Sequence, residues 1–586
     1  MSGFLLCWHR SGGALAPEVL ERVRGRLAMR GPEGSATIAA TDAVAVHTAF
    51  TDAIGAEEDL PLRVGDLLIA ADLRLDDRAR LRAHLRDVGD DPPAEATDAR
   101  LLASAMRCWG DGAASRLLGD FAFAALDLAR GRLVAARGTF GVKPLFVAET
   151  RAFVACSNDI DTLLELPGVD ATPDEAALTE FLRSGTIIAP ERTARRGVRR
   201  VPPSGQLAWG RSGPAVASRH WEFPVPAPLR FSREADYTER FNELLETAVR
   251  DRLRVPRASI MLSGGLDSPA LAVAAQRGAP EVALQALTIS SERVSPSDER
   301  EWAERVARHL GLRQEVHYTE ASDILAHCGD ATLRTPEPVN EPEFARWRRV
   351  ARRLSEFGAV TFDGEDGDAL LAPPDLLTML RTLPWAETAR AWHAYRATHG
   401  VRPWVGLRQL PALRRRREAE WWTPPAWLRP ELLARHGTRL PEEPPAHPTR
   451  SRATWGFRQP VWETLFALDD PSASGAPLSV LLPMLDARLF EYAFAVPPIP
   501  WCQRKQLLRS AMAGRLPDDV LQRPKTPLEG AVEASVSRWR ADGGPDRPLA
   551  SPMDHLIDVA AWRRSLRDAT LAEDVVTGWR VFEVAR

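Results

Sequence analysis

The six residues Ser263-Gly264-Gly265-Leu266-Asp267-Ser268 constrain this chain more than any other stretch. They follow a short apolar run over 258–262 and precede Pro269 and a series of small apolar residues. That order predicts strand, glycine turn, helix. Two adjacent glycines let the backbone turn tightly and bring its N–H groups close to an anion. The helix that begins there aims the positive end of its dipole at the same place. Ser263 and Ser268 add hydroxyl donors, and Asp267 adds a carboxylate. A carboxylate beside a phosphate calls for a cation between them, and Mg2+ suits such oxygen donors. No Gly-Lys-Ser/Thr follows, so this is not the Walker loop.

Composition excludes several classes. The net charge of −3 gives no bulk attraction to nucleic acid or to an anionic membrane. No apolar run reaches the roughly 20 residues that span a bilayer. The five cysteines are scattered, odd in number and without CxxC spacing. A reducing cytoplasm is therefore the expected location, with no zinc site and no disulfide frame. Arginine has almost displaced lysine: of 76 basic residues only Lys143, Lys505 and Lys525 are lysines. A compact, mobile ammonium cannot be replaced by a flat guanidinium fork, so the surviving lysines are informative.

In chain order, residues 1–222 show short β-like runs between polar turns, such as 66–71 and 131–137. Residues 223–234 begin with a proline-rich stretch without helical or strand period, and the domain boundary is placed there. From 235 onward, helical patterns alternate with strands over 258–262, 282–289, 314–318 and 359–362. Such alternation predicts a parallel sheet with helices on both faces and ligands at the carboxyl ends of its strands. The last of these strands runs into Asp363-Gly364-Glu365-Asp366-Gly367-Asp368, four carboxylates in six residues that need a cation or donors to offset them. The tryptophan-, proline- and arginine-rich stretch 371–450 contains a short basic run, with Glu418 and Glu420 beside it. A solvated helix face next to an aromatic cluster is expected there, not an RNA-binding surface.

Several motifs together carry a family resemblance. Ser263–Ser268 matches the pyrophosphate loop of ATP pyrophosphatases, and the 363–368 loop resembles the Gly-Glu-Gly-x-Asp motif of asparagine synthetases. Residues 483–493 resemble that family's Pro-Phe-Leu-Asp helix. Lys505 and Lys525 stand twenty residues apart, as in asparagine and β-lactam synthetases. Residues 119–127 and 138–146 resemble the class II glutamine amidotransferase domain of asparagine synthetases, which places Lys143 in a structural setting. The resemblance implies an N-terminal αββα sandwich, followed by an ATP-pyrophosphatase α/β domain over 235–586. It implies ATP contacts from Leu262, Ser263, Gly264, Gly265, Asp267, Ser268, Thr288, Gly364 and Lys505. It implies Mg2+ on Asp267 and Asp368, a proton-handling role for Glu365, and charge stabilisation by Lys525 over an acyl-adenylate.

The amidotransferase chemistry is expected to be absent. The family's nucleophilic N-terminal cysteine is Ser2 here, and a hydroxyl is a much weaker nucleophile than a thiolate. The family's glutamine-holding Asn-Gly-Glu-Ile-Tyr-Asn reads Ala70-Ala71-Asp72-Leu73-Arg74-Leu75. With no ammonia supply, the amine is expected to arrive on the substrate. Two related families use such an amine: β-lactam synthetases and lasso peptide macrolactam cyclases. The former keep a tyrosine where Glu365 stands, which favours the latter. That likeness implies a ribosomal precursor peptide as substrate, with a leader-binding protein and a leader protease as partners. A β-lactam synthetase-like ligase, an ammonia-dependent asparagine synthetase and a non-catalytic peptide scaffold remain alternatives.

Overall fold

The computed structural model describes residues 2–10, 12–51, 58–294, 298–320, 325, 335–364, 367–373, 379–380, 384–399, 423–437, 447–523, 531–569 and 572–585. Two six-stranded antiparallel sheets form the N-terminal half. In spatial order the first takes β10 (Arg199–Arg200), β8 (Phe146–Glu149), β9 (Phe153–Ser157), β1 (Gly3–His9), β3 (Ala43–Thr48) and β2 (Ser35–Ala39). The second takes β12 (Val216–Arg219), β11 (Gly205–Trp209), β7 (Arg132–Arg137), β6 (Gly119–Asp127), β5 (Leu67–Leu75) and β4 (Leu62–Val64).

Strand alternation explains the four layers. On β1, Phe4, Leu6 and Trp8 pack between the sheets against Leu68, Ala70, Ala122 and Ala124. Leu5 and Cys7 point the other way, onto the helices Pro17–Leu27 and Ile160–Leu164. On β5, Ile69, Ala71 and Leu73 likewise meet the helices Arg78–Asp87 and Asp98–Trp109. A period of two with both faces apolar yields sheets covered on both sides, which is the expected αββα sandwich.

The second half contains a five-stranded parallel sheet in the order β15 (Arg313–Tyr318), β14 (Ala283–Ser290), β13 (Arg257–Met261), β16 (Val360–Phe362) and β17 (Ser479–Leu481). Ala258, Ile260 and Ala286 face the helices Glu234–Arg252, Asp267–Gly278 and Glu299–Leu310. Met261, Leu287 and Ile289 face the helix Phe344–Phe357. The chain builds outward from β13 through β14 to β15, then crosses to β16. The strand order therefore reverses between β13 and β16, and the loops leaving these two strands flank the crevice where a ligand belongs.

The two halves interlock. The proline-rich stretch carries no helix or strand, and its Phe223 packs against Phe457, Phe490 and Phe494. The helix Glu175–Ser184 shares a cluster with Trp539, Trp562, Trp579 and Phe582 of the C-terminal helices. Buried ion pairs cross the seam. Arg252 Nη1 lies 3.1 Å from Asp76 Oδ2 and 2.9 Å from Asp486 Oδ2, and Arg30 Nη1 is 2.5 Å from Asp470 Oδ2. Burial alone would raise the Asp486 carboxyl, but hydrogen bonds and charge from Arg488 and Arg252 outweigh it and bring it to about 2.

Replacing Arg252 with Ala would remove one of two guanidinium partners from each of Asp76 and Asp486, which Arg74 and Arg488 still contact, so a loss of about 1.5–3 kcal/mol is expected. A lowered denaturant midpoint checks this, and an unchanged midpoint contradicts it. The folded Asp486 carboxyl lies below its ordinary 3.8. Its contribution is therefore full above that pH and drains away as pH falls through about 2.

Candidate active site

The pyrophosphate-type loop is pinned by its own serines. Ser263 N donates to Ser268 Oγ at 2.9 Å, the two hydroxyls are 3.0 Å apart, and Gly265 N donates to Ser263 Oγ at 3.2 Å. Leu262, buried at the end of β13, accepts at its carbonyl from Thr288 Oγ1 at 2.8 Å. Thr288 in turn accepts from Gln314 Nε2 at 2.7 Å, so its hydroxyl ties neighbouring strand ends together. Asp267 opens the following helix.

The acidic loop closes on this element. Gly364 lies against the Asp267–Ser268 backbone, where an added Cβ would come within 2.9 Å of Ser268 N. A Cβ at Gly367 would strike the Asp267 carboxylate. Both glycines thus serve close approach, which a side chain would block. Asp368 stands in the first turn of the short helix Gly367–Leu370.

Lys505 joins the two loops. Its ammonium hydrogen-bonds Asp267 Oδ2 and lies 2.7 Å from Asp368 Oδ1. Burial would lower its pKa, but the charges of the two aspartates outweigh burial and raise it. Arg504 and Lys505 both adopt left-handed backbone, with φ of 50° and 55°. For residues with a Cβ that conformation is costly and is held by its surroundings. Arg509 supplies part of that hold, with Nε donating to the Arg504 carbonyl at 2.8 Å.

Asp267, Asp368 and Lys505 are thus brought together from three distant parts of the chain. Two hard carboxylates on neighbouring loops, around one point that a cation already fills, suit a divalent ion that shares its sphere with phosphate oxygens. Among the described residues no group of three or more His, Cys, Asp or Glu forms a self-sufficient metal cage. Glu365 and Lys525 lie outside the described residues, as does much of 371–450.

Sequence reasoning passed over Glu299 and Arg523. Glu299 Oε1 accepts from Gly264 N at 2.7 Å, and Arg523 Nη1 donates to the Gly264 carbonyl at 2.9 Å. Glu299 lies in the first turn of the helix Glu299–Leu310. Nothing in its local pattern points 35 residues back to a glycine amide.

Charged groups are paired at the positions of the N-terminal half that the resemblance assigns to glutamine. Lys143 Nζ lies 2.5 Å from Asp72 Oδ1, both buried. Arg74 pairs with Asp76 at 3.0 Å and with Asp120 at 2.7 Å. Ser2 Oγ accepts from Phe50 N at 3.2 Å. Cys7 is fully buried in β1, and burial pushes its thiol up to about 12, which disqualifies it as a nucleophile.

A parallel sheet with this loop pair at its switch point, behind an amidotransferase-type sandwich, defines an ATP-dependent carbon–nitrogen ligase that releases AMP. The chain belongs to the asparagine synthase family, whose model matches residues 240–578, and a glutamine amidotransferase domain model matches residues 1–221. It is 26% identical over 505 residues to asparagine synthetase [glutamine-hydrolyzing] 3 of Bacillus subtilis, covering 81% of this chain and 76% of that one. It is also 26% identical over 638 residues to the "putative asparagine synthetase [glutamine-hydrolyzing]" of Mycobacterium tuberculosis, covering 97% and 93%.

Lys505→Met should let Mg2+ bind without nucleotide, because the two aspartates lose their internal counter-charge, while ATP affinity falls. Titration of the metal alone, then of Mg–ATP, checks both. Metal binding no tighter than in the wild-type chain would contradict the arrangement.

Proposed function

We propose that this chain is a lasso peptide cyclase. It activates an Asp or Glu side-chain carboxylate of a core peptide and joins it to the peptide's N-terminal amine. The observation that carries this is the pairing of the residues at the positions that the resemblance assigns to glutamine. Asp72 and Arg74 stand where the family's glutamine-holding motif falls, and both are committed to buried ion pairs. Ser2 stands at the position of the family's nucleophile, with its hydroxyl accepting from a backbone amide. Nitrogen taken from glutamine is disfavoured, so the amine is best supplied by the substrate itself.

In the reaction, a carboxylate oxygen of the peptide attacks the α-phosphorus of ATP. The bond to the β-phosphate breaks, pyrophosphate leaves, and an acyl-adenylate remains. The terminal amine then attacks the activated carbonyl carbon, AMP departs with the bond pair, and the amine loses a proton. Asp267 and Asp368 would hold Mg2+, which supplies charge neutralisation for the departing pyrophosphate. The serine-pinned loop offers N–H and hydroxyl donors to phosphate oxygens. Lys505 is released from its aspartates to follow the phosphates, as a mobile ammonium can. Glu365 is assigned proton handling and Lys525 the charge that develops as the amine attacks. A ring that closes on a prefolded tail needs a shaped cavity to hold it, and stretch 371–450 is assigned that role. A leader-binding protein and a leader protease would deliver the peptide.

The relatives are named glutamine-hydrolyzing asparagine synthetases, and a second reading is asparagine synthesis from free aspartate, with ammonia in place of glutamine nitrogen. The two are separated by measuring AMP release with a short peptide that carries a free N-terminus and an acidic side chain several residues on, then with aspartate and ammonium. The proposal expects AMP and a product lighter by one water only with the peptide. Turnover of aspartate alone would overturn it. Lys525→Ala is expected to lower product formation at least ~100-fold while peptide binding persists, and an unchanged yield would refute the assigned role.

A further inference from the structure

Gly264 is gripped from both sides of its peptide unit. Its N–H donates to Glu299 Oε1 at 2.7 Å, and its carbonyl accepts from Arg523 Nη1 at 2.9 Å. The same Nη1 lies 3.2 Å from Glu299 Oε2, so the two gripping side chains also pair with each other. Arg523 Nη2 donates to Asp298 Oδ1 at 2.6 Å, and its guanidinium stacks 5.2 Å from the ring centre of Trp302. Trp302 is itself oriented by Asp298, at 2.7 Å from the indole nitrogen. A side chain on Gly264 would strike both Arg523 and Trp302. The segment that holds Arg523 is fixed in turn: Arg509 donates to the Leu521 carbonyl and, at 3.3 Å, to the Arg523 carbonyl.

This arrangement puts a carboxylate on an amide of the very loop that is to receive a polyphosphate. A bare negative charge there would repel ATP, and in a half-buried setting the repulsion is weakly screened. The guanidinium of Arg523 pairs with that carboxylate, with Nη1 and Nη2 both on protein groups. We propose that Arg523 and Glu299 are positioning residues for the nucleotide. Glu299 fixes the loop through the Gly264 amide, and Arg523 makes that carboxylate tolerable beside the phosphates while anchoring the chain two residues before Lys525. Neither residue touches the reacting atoms. The inference rests on the nucleotide reading of the loop and is independent of which amide is made.

The test is equilibrium binding of Mg–ATP to the full chain, with no peptide present. Arg523→Ala should weaken binding about tenfold, a coupling of the size expected for residues in one charged network. Adding Glu299→Gln to that variant should restore binding to within about threefold of the wild-type chain, because the glutamine oxygen still accepts from Gly264 but carries no charge. Arg523→Lys keeps the charge and should lose no more than about threefold. That variant carries the test if the alanine variant does not fold. A double variant as weak as Arg523→Ala, or Arg523→Lys as weak as Arg523→Ala, would overturn the proposal. Wild-type chain that does not bind Mg–ATP would overturn the nucleotide reading and this inference with it. Normal wild-type binding without rescue would overturn this inference alone.

Discussion

One ammonium group on a strained turn holds two carboxylates from neighbouring loops. Asp267 begins the helix after β13, Asp368 follows β16, and Lys505 arrives from a segment more than a hundred residues further on. Left alone, the aspartates would repel across the switch point of the sheet. With Lys505 between them the crevice keeps its shape in the absence of nucleotide. Asp267 and Asp368 would hold a divalent cation, which would supply charge neutralisation there, and Lys505 is placed to turn from them toward phosphate oxygens. The left-handed backbone at Arg504 and Lys505 is consistent with strain kept at a working site.

Much of this was legible in the sequence. The strand-turn-helix around Gly264 and Gly265 needed only local pattern, and so did the strands over 282–289, 314–318 and 359–362. Lysine scarcity singled out Lys505 because a guanidinium cannot do its work. What stayed hidden was long-range. The fifth strand of the parallel sheet is three residues, Ser479–Leu481, too short to show a period. Asp486 caps its helix, accepting from Arg488 N at 2.9 Å. Its second role, pairing with Arg252 across the seam, depends on a partner 234 residues away. The grip of Glu299 and Arg523 on Gly264 was hidden for the same reason.

The N-terminal half shows how strand pattern sets a fold independently of any one polar site. The sandwich keeps all four layers because its strands are apolar on both faces, and that pattern is independent of the nucleophile. In its interior, polar groups could not simply be left buried without partners. Lys143 with Asp72, and Arg74 with Asp76 and Asp120, satisfy one another instead. The same network continues through Asp76 to Arg252 and Asp486. The N-terminal half thus braces the helix Glu234–Arg252 that leads into β13, and the helix Glu175–Ser184 completes a tryptophan cluster the C-terminal helices share.

The central claim is that ATP is split at its α-phosphorus by a substrate carboxylate. It is tested most directly by labelling the side-chain carboxylate of an acidic peptide substrate with oxygen-18 and following the label through a single turnover. The account predicts one labelled oxygen in the phosphate of AMP, with unlabelled pyrophosphate. Label in inorganic phosphate, with ADP as the nucleotide product, would contradict it.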